Sequence, residues 1–191
     1  NTVGGSGNGR IAIGFENQAM ADAAVAIGNS SKATGGSSTA LGAKANAAGG
    51  SAIAIGSETS ADQQSSLAIG DRMKATGAYA TAVGNYGQAT GTKSTAIGAL
   101  AKASGTNATS LGANTVASQE AAAALGSYAE ATGLRSTAVG VNAAASGQSS
   151  QAMGDHAEAT GFGATAVGKA AKAKAQSAGA FGDTANATGV Q

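Results

Sequence analysis

The sequence lacks the residues from which most small protein cores and reactive sites are built. Among its 191 residues there is no cysteine, no proline and no tryptophan, and aromatic residues make up only 3%. The absence of cysteine excludes disulfide bonds and thiolate metal sites. Eleven basic and ten acidic residues give a net charge of +1 without a basic block, which argues against nucleic-acid binding. No apolar run approaches the roughly 18 residues that a membrane-spanning helix needs.

What the sequence has in abundance is small residues in a strict repeat. It contains 31 glycines, and 42% of its residues are hydrophobic. We number one repeat 1–14 on residues 29–42, NSSKATGGSSTALG, and call the equivalent residues of successive repeats a column. Column 14 is glycine thirteen times at a spacing of 14 residues, column 13 is always apolar, and column 7 is usually glycine. An uninterrupted period of this kind predicts a solenoid.

Fourteen residues are too few for a helix pair but suffice for one coil with two short strands and two tight turns. We place the strands near columns 3–6 and 10–13, and we expect both glycine columns to supply the positive φ of the turns. Strands of stacked coils then pair in parallel, about 4.8 Å apart. The sequence therefore predicts an all-β parallel β-roll of about thirteen coils. The column-14 turn glycines are Gly14, Gly28, Gly42, Gly56, Gly70, Gly84, Gly98, Gly112, Gly126, Gly140, Gly154, Gly168 and Gly182.

The two predicted strands differ in polarity. The first strand alternates alanine with polar residues, so one of its faces is expected to be exposed to solvent. The second strand has small residues on one face and aliphatic residues or threonine on the other. Because the coil is narrow, we expect the small residues of columns 3, 5, 10 and 12 to fill its interior. The side chains of columns 11 and 13 would then point outward and pack against copies of the same chain. The alternative is the reverse packing, with columns 11 and 13 inside the roll. The predicted oligomer-core residues are Ile13, Ile27, Leu41, Ile55, Ile69, Val83, Ile97, Leu111, Leu125, Val139, Met153, Val167 and Phe181.

Charged residues follow the same period. Column 2 runs Lys44, Glu58, Arg72 in successive coils, and Glu158 precedes Lys172 in column 4. Because neighbours in a parallel ladder lie close together, alternating signs favour coils stacked in register.

Several phrases resemble the head repeats of trimeric autotransporter adhesins of the Yersinia adhesin type. They are ADAAVAIGNSSKATG (21–35), SAIAIGSETSA (51–61) and YATAVGNYGQATG (79–91). The resemblance implies a left-handed roll, a homotrimer, and display beyond the bacterial outer membrane. It implies adhesion to host cells or to matrix proteins such as collagen, fibronectin or laminin, with no motif that identifies the ligand-binding residues. We expect residues 1–191 to be a single β-roll head segment, cut from a longer chain at both ends, without stalk or membrane anchor.

Other functions fit the sequence less well. An enzyme is not expected, because the only histidine, His156, lies at a turn next to Asp155 without a recurring nucleophile or acid–base partner. No cofactor or metal site is predicted. An ice-binding solenoid or a structural spacer remains the alternative, although the threonines of column 6 stand beside charged residues. Those threonines are Thr34, Thr76, Thr90, Thr132 and Thr160. Aromatic residues at the turns are candidate partner contacts or edge packing: Phe15, Tyr79, Tyr86, Tyr128 and Phe162.

Overall fold

The computed structural model describes residues 1–3 and 8–189, and every regular element among them is a β-strand. No helix in this part of the chain has the length and apolar character that a membrane crossing demands. The strands form two compact units, Asn1–Lys93 and Ser94–Gln191. The prediction of one continuous segment over residues 1–191 stays a prediction.

In the first unit, each coil contributes one strand to each of two parallel sheets. Strands pair with the equivalent strand one repeat away, so that Lys32 lies opposite Asn46 and Thr39 opposite Ile53. The predicted parallel pairing with a 14-residue period is thereby confirmed. The strands of one sheet are β1 (Thr2–Val3), β3 (Gln18–Ala19), β5 (Lys32–Ala33), β7 (Asn46–Ala47), β9 (Ser60–Ala61), β11 (Lys74–Ala75) and β13 (Gln88–Ala89). Those of the other are β2 (Ile11–Phe15), β4 (Val25–Asn29), β6 (Thr39–Leu41), β8 (Ile53–Ile55), β10 (Leu67–Asp71) and β12 (Thr81–Asn85).

The second unit repeats the arrangement. Glu158 lies opposite Lys172, and Thr137 lies opposite Gln151. The strands of its first sheet are β15 (Lys102–Ala103), β17 (Val116–Ala117), β19 (Glu130–Ala131), β21 (Ala144–Ala145), β23 (Glu158–Ala159), β25 (Lys172–Ala173) and β27 (Asn186–Ala187). Those of its second sheet are β14 (Thr95–Ile97), β16 (Thr109–Leu111), β18 (Ala123–Leu125), β20 (Thr137–Val139), β22 (Gln151–Met153), β24 (Thr165–Val167) and β26 (Gly179–Phe181).

The interior of the roll is built from small side chains. In the template coil, Ser31, Ala33, Ser38 and Ala40 are fully buried, whereas Leu41 is 41% exposed. Columns 3, 5, 10 and 12 therefore fill the roll, as the sequence favoured, and the reverse packing is wrong. Most of the buried side chains of the roll are alanine or serine, with a few larger residues such as Met73 among them. A narrow interior explains the dominance of alanine.

The turns correct one sequence-based expectation. All thirteen column-14 glycines have φ between 118° and 143°, as predicted, whereas the column-7 glycines among the described residues do not use positive φ. The left-handed residues of the coil stand instead in columns 2 and 9, for example Ser30 at φ 57° and Ser37 at φ 55°. Column 7 requires glycine for another reason: a Cβ on Gly35 would lie 2.0 Å from the carbonyl oxygen of Gly49 in the next coil.

The strands are shorter than predicted, spanning columns 4–5 and 11–13, because the turns occupy the remaining residues. In four coils the second strand extends past the glycine. In two of these coils a column-3 side chain accepts a hydrogen bond from a backbone amide of the next coil. Asn17 Oδ1 accepts from the N–H of Ser31 at 2.9 Å, and Met73 Sδ accepts from that of Gly87 at 3.0 Å.

Candidate assembly and binding surfaces

An apolar face runs along the outside of the even-numbered strands in each unit. It is formed by the side chains of columns 11 and 13, because alternation along the strand directs the alanine of column 12 inward. None of the thirteen predicted oligomer-core residues is fully buried within the chain; all are half-buried or exposed, up to 70% for Phe181. A sheet face this rich in aliphatic side chains is a surface that proteins normally cover.

A ladder of charged and aromatic side chains follows the column-2 turn of the first unit. Glu58 Oε2 lies 2.7 Å from Arg72 Nε, and Glu58 Oε1 lies 3.7 Å from Lys44 Nζ. The guanidinium of Arg72 stands 5.2 Å from the ring centre of Tyr86 and donates a hydrogen bond to its hydroxyl. The predicted register, which sets opposite charges of successive coils beside each other, is thereby confirmed.

The contact between Glu58 and Arg72 shifts the pKa of both groups. The hydrogen bond from Arg72 and its positive charge lower the pKa of Glu58, with a smaller contribution from Lys44. The hydrogen bond to Glu58 and the negative charge of that carboxylate raise the pKa of Arg72. Because these groups are exposed, water and salt screen their attraction, and the ladder has a small effect on stability.

The odd-numbered strands present a polar face. In the second unit, Glu158 lies between two lysines, with Lys172 Nζ at 3.7 Å and Lys174 Nζ at 3.9 Å. In the first unit, Asn46 Nδ2 donates to Asp62 Oδ1 at 3.0 Å across neighbouring coils. This face is hydrated and variable from coil to coil, in contrast to the repeated apolar face.

Comparison with known proteins agrees with this geometry. The family described as YadA head domain repeat (2 copies) matches residues 6–31, 19–45, 33–59, 47–72, 61–86, 75–101, 89–115, 103–129, 131–157 and 159–178. The chain belongs to the YadA head repeat family. Its repeats are those of trimeric autotransporter adhesin heads, as the sequence predicted, and the family is a structural adhesin domain rather than an enzyme family.

A solved structure is also similar to this YadA-type head. It is the crystal structure of the collagen-binding domain of Yersinia adhesin YadA, with 29% sequence identity and a TM-score of 0.50. The match covers 75% of this chain and 68% of that one. The search among curated proteins gave no match.

The remaining candidate residues of the head lie at its surface. His156 is exposed, and its Nδ1 stands 2.8 Å from Asp155 Oδ1. In the described residues, no three histidine, cysteine or acidic side chains come together in a way that could hold a metal ion. The five aromatic residues that the sequence placed at turns are all exposed, but Phe15 is the last residue of strand β2 and not a turn residue. Tyr86 pairs with a charged neighbour, Arg72. Sequence reasoning missed the stacked pair, although Arg72 and Tyr86 stand 14 residues apart in the same column.

Proposed function

We propose that this chain forms the homotrimeric head of a bacterial surface adhesin and binds extracellular matrix proteins. The observation that carries the proposal is the apolar face of columns 11 and 13, repeated in every coil and left uncovered by the chain itself. Burying one aliphatic side chain is worth roughly 1.5–3 kcal/mol, so a row of them favours an obligate assembly. Copies of the same chain around one axis are the simplest cover, because each brings an identical face.

The number three and the left-handed sense of the roll come from the resemblance to trimeric adhesin heads. Three parallel copies around an axis along the stacking direction of the coils would enclose the column-13 side chains. That assembly leaves the polar face of the odd-numbered strands on the outside. The turn edges with their exposed aromatic residues supply further surface for a ligand.

The ligand class follows from the solved relative, which is a collagen-binding domain. Collagen is therefore the first matrix protein to test for this chain, followed by fibronectin and laminin. Attachment to a host surface requires display on the bacterial cell surface, which we propose as the location of this head. Its polar face carries charged and amide side chains suited to hydrogen-bonding an extended protein ligand.

Two measurements test the proposal. Sedimentation equilibrium of the purified chain is expected to give three times the chain mass, and a folded monomer would refute the assembly. Solid-phase binding of the trimer to collagen, fibronectin and laminin tests the ligand, with albumin as the control surface. A trimer that binds none of them would refute the adhesive function and favour a structural spacer.

A further inference from the structure

The repeat that builds the apolar face also makes its pairing between copies degenerate. In the second unit, four coils present the same combination of threonine in column 11 and an aliphatic residue in column 13. They are Thr95 with Ile97, Thr109 with Leu111, Thr137 with Val139, and Thr165 with Val167. A copy displaced along the axis by one coil would place similar side chains opposite each other. Hydrophobic burial alone therefore discriminates weakly between the correct and the displaced register.

One side chain breaks this degeneracy. Gln151 is the only carboxamide in columns 11 and 13, and its neighbours in the ladder are Thr137 and Thr165. Its backbone N–H donates to Ala164 O at 2.8 Å, but within the described part of the chain its side chain has no hydrogen-bond partner from the protein. The side chain is exposed on the outer face of β22, beside the aliphatic Met153. An amide with two donors and an acceptor oxygen therefore stands on a face that the trimer would bury, where it would need a partner from another copy.

We propose that Gln151 sets the axial register of the assembly, an inference that rests on the proposed trimer. Rotation about an axis keeps equivalent residues at the same height, so the three Gln151 side chains would meet and hydrogen-bond to one another. In a copy displaced by one coil, the amide would face Thr137 or Thr165, whose single short hydroxyl satisfies it incompletely. Leaving part of a buried amide unpaired is costly, whereas correct pairing is nearly neutral. A single polar residue in the seam of a coiled coil selects register by the same physics.

Cysteine cross-linking tests the register directly, because the native chain has no cysteine. Chains carrying Ile97→Cys and chains carrying Leu111→Cys are coexpressed, oxidised and analysed by peptide mass spectrometry. Alignment in register favours 97–97 and 111–111 disulfides, whereas displacement by one coil favours 97–111. Gln151→Met keeps the side-chain length and removes the amide, so the 97–111 fraction is expected to rise about tenfold, the effect of losing roughly one hydrogen bond. Gln151→Asn is expected to keep the native pattern, and Gln148→Met, the same exchange at an exposed turn, is the matched control.

Stability separates this role from ordinary packing. If Gln151 acts by selecting register, Gln151→Met raises or preserves the melting temperature of the trimer while the cross-linking pattern becomes mixed. An unchanged pattern in a folded Gln151→Met trimer would overturn the inference and leave the trimer itself intact. The inference would also be overturned if Gln151→Thr lost the native register and Gln151→Met kept it, because side-chain size rather than the amide would then be responsible. A monomeric native chain would instead refute the proposed assembly.

Discussion

The column-14 glycine offers the sharpest test of the stacking geometry. Gly42 has φ 136°, and a Cβ built on it would lie 2.2 Å from the carbonyl oxygen of Gly56 and 2.7 Å from its carbonyl carbon. The next coil cannot retreat easily, because the N–H of Gly56 donates to Leu41 O at 2.8 Å and Leu41 pairs with Ile55. Gly42→Ala therefore combines an unfavourable backbone conformation with a collision against paired backbone.

The expected loss of stability is large for a single methyl group. Holding alanine in a sparsely allowed conformation costs about 1–3 kcal/mol, and overpacking adds about 1–3 kcal/mol, so we expect Gly42→Ala to destabilise by about 2–6 kcal/mol. Gly35→Ala suffers the collision without the strained φ, and column 7 tolerates alanine at Ala21, so about 1–3 kcal/mol is expected. Gly36→Ala is the control, since nothing lies within 4 Å of its Cβ and Ala78 occupies the same column.

Urea unfolding followed by circular dichroism, at equal protein concentration for each variant, measures the three effects. Gly42→Ala is expected to destabilise most and Gly35→Ala less. Gly36→Ala is expected to be neutral or to stabilise by up to about 1 kcal/mol, because alanine reduces the conformational entropy of the unfolded chain. Equal midpoints for Gly42→Ala and Gly36→Ala would refute the close stacking of coils at the turn.

Three further predictions concern the apolar face, the ladder and the core. If the chain forms the proposed trimer, Ile97→Asp is expected to dissociate it to monomers or dimers in sedimentation, because burying a carboxylate is costly, whereas Lys102→Ala on the polar face leaves assembly and melting unchanged. Because Arg72 lowers the pKa of Glu58, the contact stabilises above the ordinary pKa of 4.5 and is lost as pH falls through the lowered value. Glu58→Gln should therefore lower the melting temperature slightly at pH 7 and not in strongly acidic buffer; an equal loss at both would contradict this. Met73→Ala removes the largest buried side chain among the described residues and is expected to lower the free energy of unfolding in urea by about 2–5 kcal/mol. If Met73→Ala lost less stability than an exchange of an exposed residue to alanine, the core would have closed around the cavity.

The exact period made the coil, its strand pairing and its interior predictable. Each coil contacts its neighbours in the same way, so a pattern such as alanine in columns 5 and 12 is repeated until chance is excluded. The proposed ligand-binding surface could not be predicted residue by residue, because the repeat leaves the outer positions of the coil free to vary. The stack of Arg72 on Tyr86 depends on rotamers and turn geometry that the period alone does not specify.

By itself, the sequence predicted the solenoid and its 14-residue coil, and it favoured the small-residue interior that the structure shows. Those properties follow from hydrophobic alternation and strict spacing, which are local and repeat in every coil. The adhesin-head family was indicated by the resemblance of the repeat phrases and not by the period. Only the tertiary structure decided why each glycine is needed. At both Gly42 and Gly35 the backbone of the next coil passes where a Cβ would be, but only Gly42 also adopts a positive φ. Both are the same letter in the sequence, and only the backbone conformation in the folded coil distinguishes a glycine needed for space alone from one needed for space and φ.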